Sequence, residues 1–218
     1  PNREARLVFR DGEFTLYVYK QVPRPEKYAP KGVLAVDVNE RQVVVGNSSV
    51  EQRMETPVER ALHYRRLAER LQEKYSSPRY MAWRRRRGIR RRIRHFYRKA
   101  RNIIEDWARK TARTIISLAK QSQLTVARED LTGLIEGLRR LPKEHRTALI
   151  ALGYRRLGYW IDWQAEKNGV PLFVVDPAGT SSTCPRCGTK LVEVGHRKLR
   201  CPRCGFEADR DSIAILNI

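Results

Sequence analysis

The four cysteines are the residues whose types and spacing most clearly indicate a chemistry. They belong to two copies of the pentapeptide Cys-Pro-Arg-Cys-Gly and are Cys184, Cys187, Cys201 and Cys204. Each Cys-x-x-Cys turn aims two thiolates at one point, and two such turns supply the four sulfur ligands of tetrahedral zinc. Because four protein ligands leave no open position for a substrate, we predict a structural zinc site. A pair of disulfides or a redox dithiol is the alternative, although nothing marks the chain as secreted.

Asp37 is the second chemically unusual residue. It interrupts an almost continuous apolar run from Gly32 to Val38, the pattern of a strand that is buried on both faces. A carboxylate in such a strand is costly unless it is paired, neutralised or bound to a metal. The pattern therefore indicates either a functional acid or a residue that opens the turn at Asn39 and Glu40.

The charge of the chain is strongly positive, at +21 over 218 residues. Such a surplus is typical of proteins that bind a polyanion, because the neutralised phosphates release counterions. One segment with the apolar spacing of a helix carries nine arginines within fifteen residues: Arg84, Arg85, Arg86, Arg87, Arg90, Arg91, Arg92, Arg94 and Arg98. We predict that this segment contacts nucleic-acid phosphates, and a solvated helix face is the alternative. The sequence has no transmembrane run and no lipidation signal, so no membrane partner is expected.

The order of the predicted elements is that of an α/β domain. A β-hairpin at residues 5–20 and a proline-rich linker at 23–30 precede strands at 32–38 and 42–45. Helices at 57–75 and 84–120 follow, then a strand at 123–128, a loop or short helix at 131–141, a helix at 143–167, a strand at 170–175 and a final helix from about residue 211. The cysteines fall between the last strand and the last helix, so the zinc module is predicted to be an insertion.

Three acidic segments and the duplicated cysteine motif together resemble the TnpB family of insertion-sequence proteins, relatives of type V CRISPR effectors. The acidic segments are Val36-Asp37-Val38-Asn39, Arg128-Glu129-Asp130-Leu131 and Asp209-Arg210-Asp211. The resemblance implies an RNase H-like (RuvC) fold with a long helical insertion and an inserted zinc ribbon. It also implies that Asp37, Glu129 and Asp211 are the catalytic acids, with Asp209 as a further candidate whose other role is that of a helix cap. The family commonly continues the third motif with Asn and two Ala, and Ile213 and Ile215 occupy two of those places here.

Three carboxylates suit the metal-dependent cleavage of nucleic acids. Two divalent ions about 3.5 to 4 Å apart can activate a water and stabilise the leaving oxygen of a phosphodiester. Magnesium or manganese is expected, because hard ions prefer carboxylate oxygens. On this hypothesis Asp37 bridges both ions, and Glu129 and Asp211 each hold one. The resemblance further implies a guide RNA and a DNA target as partners. An inert zinc-ribbon protein that binds DNA or RNA, and a transposase or resolvase that transfers strands, are the alternatives.

The resemblance also divides the chain into parts. Residues 1–30 are expected to be the last hairpin of a mostly missing N-terminal wedge domain and a linker. Residues 31–180 would form the nuclease domain with its helical insertion, residues 181–206 the zinc ribbon and residues 207–218 the third acidic motif. A chain without most of the guide-binding and target-binding parts is expected to nick single-stranded DNA at most, without guidance. The expected compartment is the cytoplasm.

Overall fold

The structure is a computed structural model, and it describes residues 4–10, 12–20, 23–80, 82, 87–130 and 154–218. The first element is an antiparallel hairpin formed by β1 (Ala5–Arg10) and β2 (Glu13–Val18), which confirms the predicted hairpin. The predicted elements between residues 131 and 153 lie outside the described residues. The same holds for Arg84, Arg85 and Arg86 of the arginine-rich segment, and for the side chain of Arg87.

A five-stranded mixed sheet forms the centre of the described chain. Its strands are β3 (Val33–Val38), β4 (Gln42–Gly46), β5 (Glu51–Glu55), β6 (Thr125–Glu129) and β7 (Leu172–Val175). The strand order is β5-β4-β3-β6-β7, in which β3, β6 and β7 run parallel and β4 and β5 pair antiparallel. Strand β5 was not predicted from the sequence, because this exposed edge strand consists mostly of polar residues without apolar alternation.

Besides a 3₁₀ turn at Pro78–Tyr80, the described residues include four α-helices. They are α1 (Val58–Lys74), α2 (Arg87–Gln121), α3 (Tyr154–Asn168) and α4 (Arg210–Asn217). The predicted long helix is confirmed over its described part, and at a rise of about 1.5 Å per residue it is roughly 52 Å long. In these ranges no helix combines the length and the apolar character needed to cross a membrane.

The main core lies between the sheet and helices α2 and α3. Alternate residues of β3 point to opposite faces of the sheet, and Leu34 and Val36 pack with Ala112, Ile115 and Ile161 on the helical side. Burying one such Leu or Ile side chain contributes about 1.5–3 kcal/mol. This packing holds the C-terminal half of the long helix against the sheet.

The opposite face of the sheet is covered in part by α4. Ala35 and Val44 of the sheet pack with Ile215, whereas Ile213 is fully buried and packs with Cys201 in the cysteine-containing module. The two isoleucines that depart from the motif described above are therefore core residues. They fix α4 between the sheet and the cysteine module.

The cysteine module is built on a small antiparallel sheet of three short strands. These strands are β8 (Val192–Gly195), β9 (Lys198–Arg200) and β10 (Glu207–Asp209), and their order is β10-β9-β8. Strand β10 leads directly into α4, which begins at Arg210. The module therefore determines where α4 starts.

Candidate metal and nucleic-acid sites

The structure brings the four predicted cysteine ligands together. Their sulfur atoms all lie within 4.8 Å of one another, with Cys184 Sγ 3.6 Å from Cys204 Sγ and Cys187 Sγ 3.4 Å from Cys201 Sγ. All four are free thiols, so the predicted alternative of two disulfides is wrong. The group can hold one metal ion.

The backbone of each Cys-x-x-Cys turn explains why the thiols converge. Gly188 and Gly205 adopt left-handed conformations, with φ of 71° and 72°, which glycine reaches without the steric cost of a Cβ atom. Their backbone N–H groups donate to the carbonyl oxygens of Cys184 and Cys201, at 2.9 Å and 3.1 Å. Each turn is thus closed by its own hydrogen bond.

Asp37 and Glu129 lie side by side at one edge of the sheet. Strand β3 pairs in parallel with β6, and Val36 is opposite Arg128, so the next residue on each strand is an acid. Parallel strands in register point equivalent residues to the same face. Both carboxylates therefore project from the carboxyl ends of neighbouring strands towards the side that α4 covers.

Asp211 reaches the same edge from the first turn of α4. The side-chain Nδ2 of Asn39 donates to Asp37 Oδ2 at 2.7 Å and to Asp211 Oδ1 at 3.1 Å. Gln42 Nε2 donates to Asp211 Oδ2 at 2.6 Å. Asp209 is the N-cap of α4, since its carboxylate accepts from the Asp211 backbone N–H at 2.9 Å. The structure thus brings the three predicted acids together and gives Asp209 the capping role.

Burial and mutual repulsion alter the acidity of these groups. Burial raises the pKa of Asp37 to about 7, the negative charges of Glu129 and Asp211 add to this, and the Asn39 hydrogen bond and the Arg197 charge oppose it. Burial also raises the pKa of Glu129, against a hydrogen bond from Thr180 Oγ1 to Glu129 Oε1 at 2.5 Å. Carboxylates that resist ionisation when crowded are stabilised by a cation.

Two arginines outside the predicted set of site residues contact Asp211. Arg197 Nη2 pairs with Asp211 Oδ1, and Arg53 Nη1 lies 3.5 Å from Asp211 Oδ2. Arg197 belongs to the turn between β8 and β9 and adopts a left-handed φ of 59°. The signal in the sequence is weak, because it is one basic residue among several in the cysteine module.

The carboxylates form a looser group than the thiols. Among the residues that the structure describes, only the four cysteines bring three or more ligand atoms within 4.8 Å of one another. The carboxylates of Asp37 and Asp211 are held apart by the side chain of Asn39, which donates a hydrogen bond to each. The four thiols converge on one point, whereas the carboxylates are spaced by the side chains that bond to them.

The described arginines of the predicted nucleic-acid segment lie on a projecting pair of helices. Arg90, Arg91, Arg92, Arg94 and Arg98 are all exposed on α2. We call this projection the helical arm and define it as Val58–Lys74 of α1 and residues 87–107 of α2.

The arm leaves the sheet at the edge that carries the acids. At its base Val38, the last residue of β3, and Trp107 both pack against the cluster that contains Ile104. Trp107 Nε1 donates to the Glu55 carbonyl at 3.1 Å. From Trp107 the helix continues for roughly 25 Å to Arg90 at about 1.5 Å per residue. The exposed arginines therefore extend beyond the acid site.

Comparison with known proteins gives one matching family model. The model is described as the Cas12f1-like TNB domain, and it matches residues 154–218. The matched part contains the four cysteines, Arg197 and Asp211.

Relatives extend the similarity to most of the chain. TnpB-like protein MJ0751 of Methanocaldococcus jannaschii is 25% identical over 208 residues, which cover 92% of this chain and 72% of that protein. The CRISPR-associated endodeoxyribonuclease Cas12f1 of Sulfoacidibacillus thermotolerans is 31% identical over 93 residues, which cover 38% of this chain and 22% of that protein.

The fold is similar to that of a solved CRISPR-Cas12f ternary complex. The TM-score is 0.60 at 18% identity, and the match covers 99% of this chain and 44% of the Cas12f chain. At this identity the likeness concerns the fold alone. The chain spans less than half of the Cas12f chain that it matches.

Proposed function

We propose that the chain is a TnpB-family protein and forms the nuclease portion of an RNA-guided DNA endonuclease. The name of the Cas12f1 relative, a CRISPR-associated endodeoxyribonuclease, supports this activity. One similar solved structure is a Cas12f1-sgRNA-target DNA complex, which supports a guide RNA and a DNA target as partners.

The mixed sheet is interpreted as an RNase H-like (RuvC) core. Its central parallel pair, β3 and β6, carries the first two acids at the carboxyl ends, where open α/β sheets place their sites. On this division residues 31–180 form the nuclease domain with its helical insertion. Residues 181–206 form the zinc ribbon and residues 207–218 supply the third acid. Residues 1–30 are assigned to the end of a preceding wedge domain and a linker.

The observation that carries the proposal is the convergence of the three acids. Asp37 and Asp211 share the amide of Asn39, and the negative charge of Glu129 contributes to the raised pKa of Asp37. A buried cluster of carboxylates held by amide donors is a donor set that suits a hard divalent ion. Asp37, Glu129 and Asp211 would hold Mg²⁺ or Mn²⁺.

Bound there, the metal would supply an activated water and neutralise charge on the leaving oxygen. The protein's own contribution is orientation. Asn39 and Gln42 fix the side chains of the two aspartates, and Thr180 fixes that of Glu129. Hydrogen bonds of this kind to metal-binding carboxylates typically matter about 10- to 100-fold for affinity or activity.

The cysteine group fits a structural zinc ion. With Zn–S distances of about 2.3 Å, tetrahedral geometry separates neighbouring sulfur atoms by about 3.8 Å. The two Sγ–Sγ distances of 3.4 Å and 3.6 Å come close to this value. Zinc in this module would hold β10 and hence the start of α4, which carries Asp211.

Metal-dependent cleavage of labelled single-stranded DNA by the 218-residue chain tests the proposal. We expect slow nicking in Mg²⁺ or Mn²⁺, and a decrease on the order of 10³-fold for Asp37→Ala, because several kcal/mol of transition-state stabilisation depend on the bound metal. Asp106→Ala is the matched control, since it removes an exposed carboxylate of α2 that pairs with Lys110. Nicking that persists unchanged in Asp37→Ala would show that another site cleaves the DNA.

A second function, nucleic-acid binding without cleavage, is favoured by one observation. Asp211 is paired with Arg197 and approached by Arg53, so two protein cations already neutralise this acid. The test is the affinity for Mn²⁺. If the chain is a nuclease, it should bind Mn²⁺ and Asp37→Ala should abolish this binding. If it only binds nucleic acid, Asp37→Ala should not change its affinity for Mn²⁺.

A further inference from the structure

A cleft lies between the N-terminal hairpin and the arginine-rich part of α2. Its volume is about 960 Å³, and its charged lining residues include five arginines and one glutamate: Arg10, Glu13, Arg91, Arg94, Arg98 and Arg101. The four arginines of α2 are three or four residues apart, so they share one face of the helix. We call this space the arginine cleft.

The arginine cleft has a surplus of positive charge, because five arginines stand against one glutamate among its described lining residues. Across the described ranges, none of its five arginines takes part in an ion pair. Like charges at this helical spacing repel one another. Phosphate groups would relieve this repulsion, because guanidinium groups bind phosphate oxygens in a two-pronged geometry.

A second space opens on the adjoining face of α2, towards α1. This pocket has a volume of about 460 Å³ and is lined by Gln72, Tyr75, Arg90, Ile93, Arg94 and Tyr97. It combines two aromatic rings and an isoleucine with polar groups at its rim. We call it the tyrosine pocket.

The walls of the tyrosine pocket are fixed by contacts on both helices. The Tyr97 hydroxyl donates to Gln72 Oε1 at 3.1 Å, which links α2 to α1. The ring of Tyr75 packs edge-on against Tyr80, with centroids 5.7 Å apart. Lys74 Nζ lies 5.8 Å from the centroid of the Tyr75 ring. The volume lies within the range of about 300–1,000 Å³ that is typical of small-ligand pockets.

The cleft and the pocket meet at two side chains. Arg94 and Tyr97 line both spaces. A cationic channel for a backbone therefore adjoins an aromatic pocket of the kind that receives a flat, mostly apolar group. A nucleic acid presents these two parts, a phosphate and a base, within one nucleotide.

We propose that the arginine cleft and the tyrosine pocket together bind single-stranded nucleic acid, with the phosphates in the cleft and an unpaired base in the pocket. In a duplex the bases are paired and stacked inside the helix, so they cannot enter a side pocket while the backbone follows the cleft. An unpaired base can turn outwards and stack on aromatic rings or on a guanidinium plane. The site lies on the helical arm, away from the acid cluster, and requires no divalent metal.

Binding of fluorescent 12-mers without divalent ions tests this proposal on the whole chain. The probes are oligo(dT), oligo(rU), a DNA strand without bases and a DNA duplex. We expect the base-bearing single strands to bind about tenfold more tightly than the strand without bases, because stacking contributes per base. A preference between oligo(dT) and oligo(rU) would identify which strand, DNA or RNA, the site takes.

Two variants separate the roles of the cleft and the pocket. Arg98→Gln should weaken the binding of every probe and reduce the slope of log K against log salt by about one phosphate contact. Tyr97→Ala should weaken the base-bearing single strands about tenfold and leave the strand without bases unchanged. Tyr97→Phe keeps the ring and loses only the hydrogen bond to Gln72, so it should bind the base-bearing strands much more tightly than Tyr97→Ala does.

Arg113→Gln is the matched control, because it removes one exposed arginine from the same helix outside the cleft. Any one of three results would overturn the proposal. The first is that Arg113→Gln and Arg98→Gln weaken binding equally, and the second is that the duplex binds more tightly than the single strands. The third is that Tyr97→Ala weakens the strands with bases and the strand without bases equally. The readout is binding without metal, so failure here is distinct from failure of the proposed nuclease activity.

Discussion

The cysteine cluster and the acid cluster are assembled in different ways. The thiols of Cys187 and Cys201 are 14 residues apart in sequence, and each turn that presents them closes through its own backbone hydrogen bond. The acid cluster joins groups that are distant in sequence, such as Asn39 and Asp211, which are separated by 172 residues. Local chain geometry forms the first cluster, whereas sheet register and helix docking form the second.

This difference gives the two clusters an unequal dependence on each other. Asp211 reaches the acid cluster because α4 follows β10 directly and because Ile213 packs into the cysteine module. In contrast, no backbone hydrogen bond that closes a cysteine turn involves Asp37 or Glu129. The acid cluster should therefore fail when the cysteine cluster fails, and the reverse should not occur.

Loss of one zinc ligand is the change with the largest expected effect. Cys201→Ser should abolish zinc binding and unfold the cysteine module, because structural zinc contributes about 10–16 kcal/mol of apparent binding free energy in small zinc domains. Mn²⁺ binding at the acid cluster should then disappear as well. Zinc content by mass spectrometry and Mn²⁺ titration measure the two effects.

The reciprocal variant is the control for this dependence. Asp211→Asn should retain one zinc ion per chain while Mn²⁺ binding is lost. If Cys201→Ser bound Mn²⁺ as tightly as the wild type, the acid cluster would form independently of the cysteine module, and the unequal dependence proposed for the two clusters would be wrong.

The second prediction concerns the loss of folding stability that follows from burying carboxylates that come from distant parts of the sequence. The folded-state pKa of Asp37 is about 7, above its ordinary value of 3.8, so between these values the folded protein binds more protons than the unfolded protein. Stability should therefore fall as the pH rises through this window. Without divalent metal, Asp37→Asn should stabilise the fold, by an amount that grows by on the order of 2 kcal/mol from about pH 5 to about pH 8.

Urea unfolding at the two pH values measures this gain. Asp106→Asn serves as the control, because its carboxylate is exposed on α2 and pairs with Lys110. A gain that is the same at both pH values would mean that the ionised Asp37 carboxylate carries no penalty in the fold.

The same contrast explains how much the sequence could predict. The cysteine site could be predicted in full, because the spacing of two identical turns determines which atoms meet. Asp37 could be identified as a carboxylate in a buried strand. Arg53 and Gln42 could not be assigned to the site, because their contacts with Asp211 depend on the strand pairing of β4 and β5 and on the docking of α4.

Fold prediction shows a similar limit. The long helix and the parallel strands follow from strong apolar patterns, whereas β5 is polar and exists through its pairing with β4. The three short strands of the cysteine module contain three or four residues each, which is too short for a periodic pattern. Their formation depends on the turns that surround the thiols.

The third prediction concerns the hydrogen bond that orients Glu129. Thr180→Val preserves the shape of a buried side chain and removes the Oγ1 donor to Glu129 Oε1. The affinity for Mn²⁺ should fall about tenfold, as is typical when a supporting hydrogen bond to a metal ligand is lost. Zinc content should not change, because Thr180 is not a zinc ligand.

Thr183→Val is the control for this substitution. Thr183 lies in the same connection, and its isolated bridge with Lys190 involves the backbone. An equal loss of Mn²⁺ affinity in both variants would indicate a general disturbance of residues 180–183, without a specific role for the Thr180 hydroxyl.

The smallest expected effect belongs to Arg197, the side chain through which the cysteine module contacts the acid cluster. Its guanidinium pairs with Asp211 and is 38% exposed, so solvent screening reduces its influence to about 1 kcal/mol or less. Because it competes with a metal cation for Asp211, Arg197→Gln should increase the affinity for Mn²⁺ by about threefold. Arg200→Gln, an exposed arginine on β9, should leave this affinity unchanged. A decrease in Arg197→Gln would instead mean that the arginine positions Asp211 for the metal, and the cysteine module would then support the acid cluster through this contact as well as through α4.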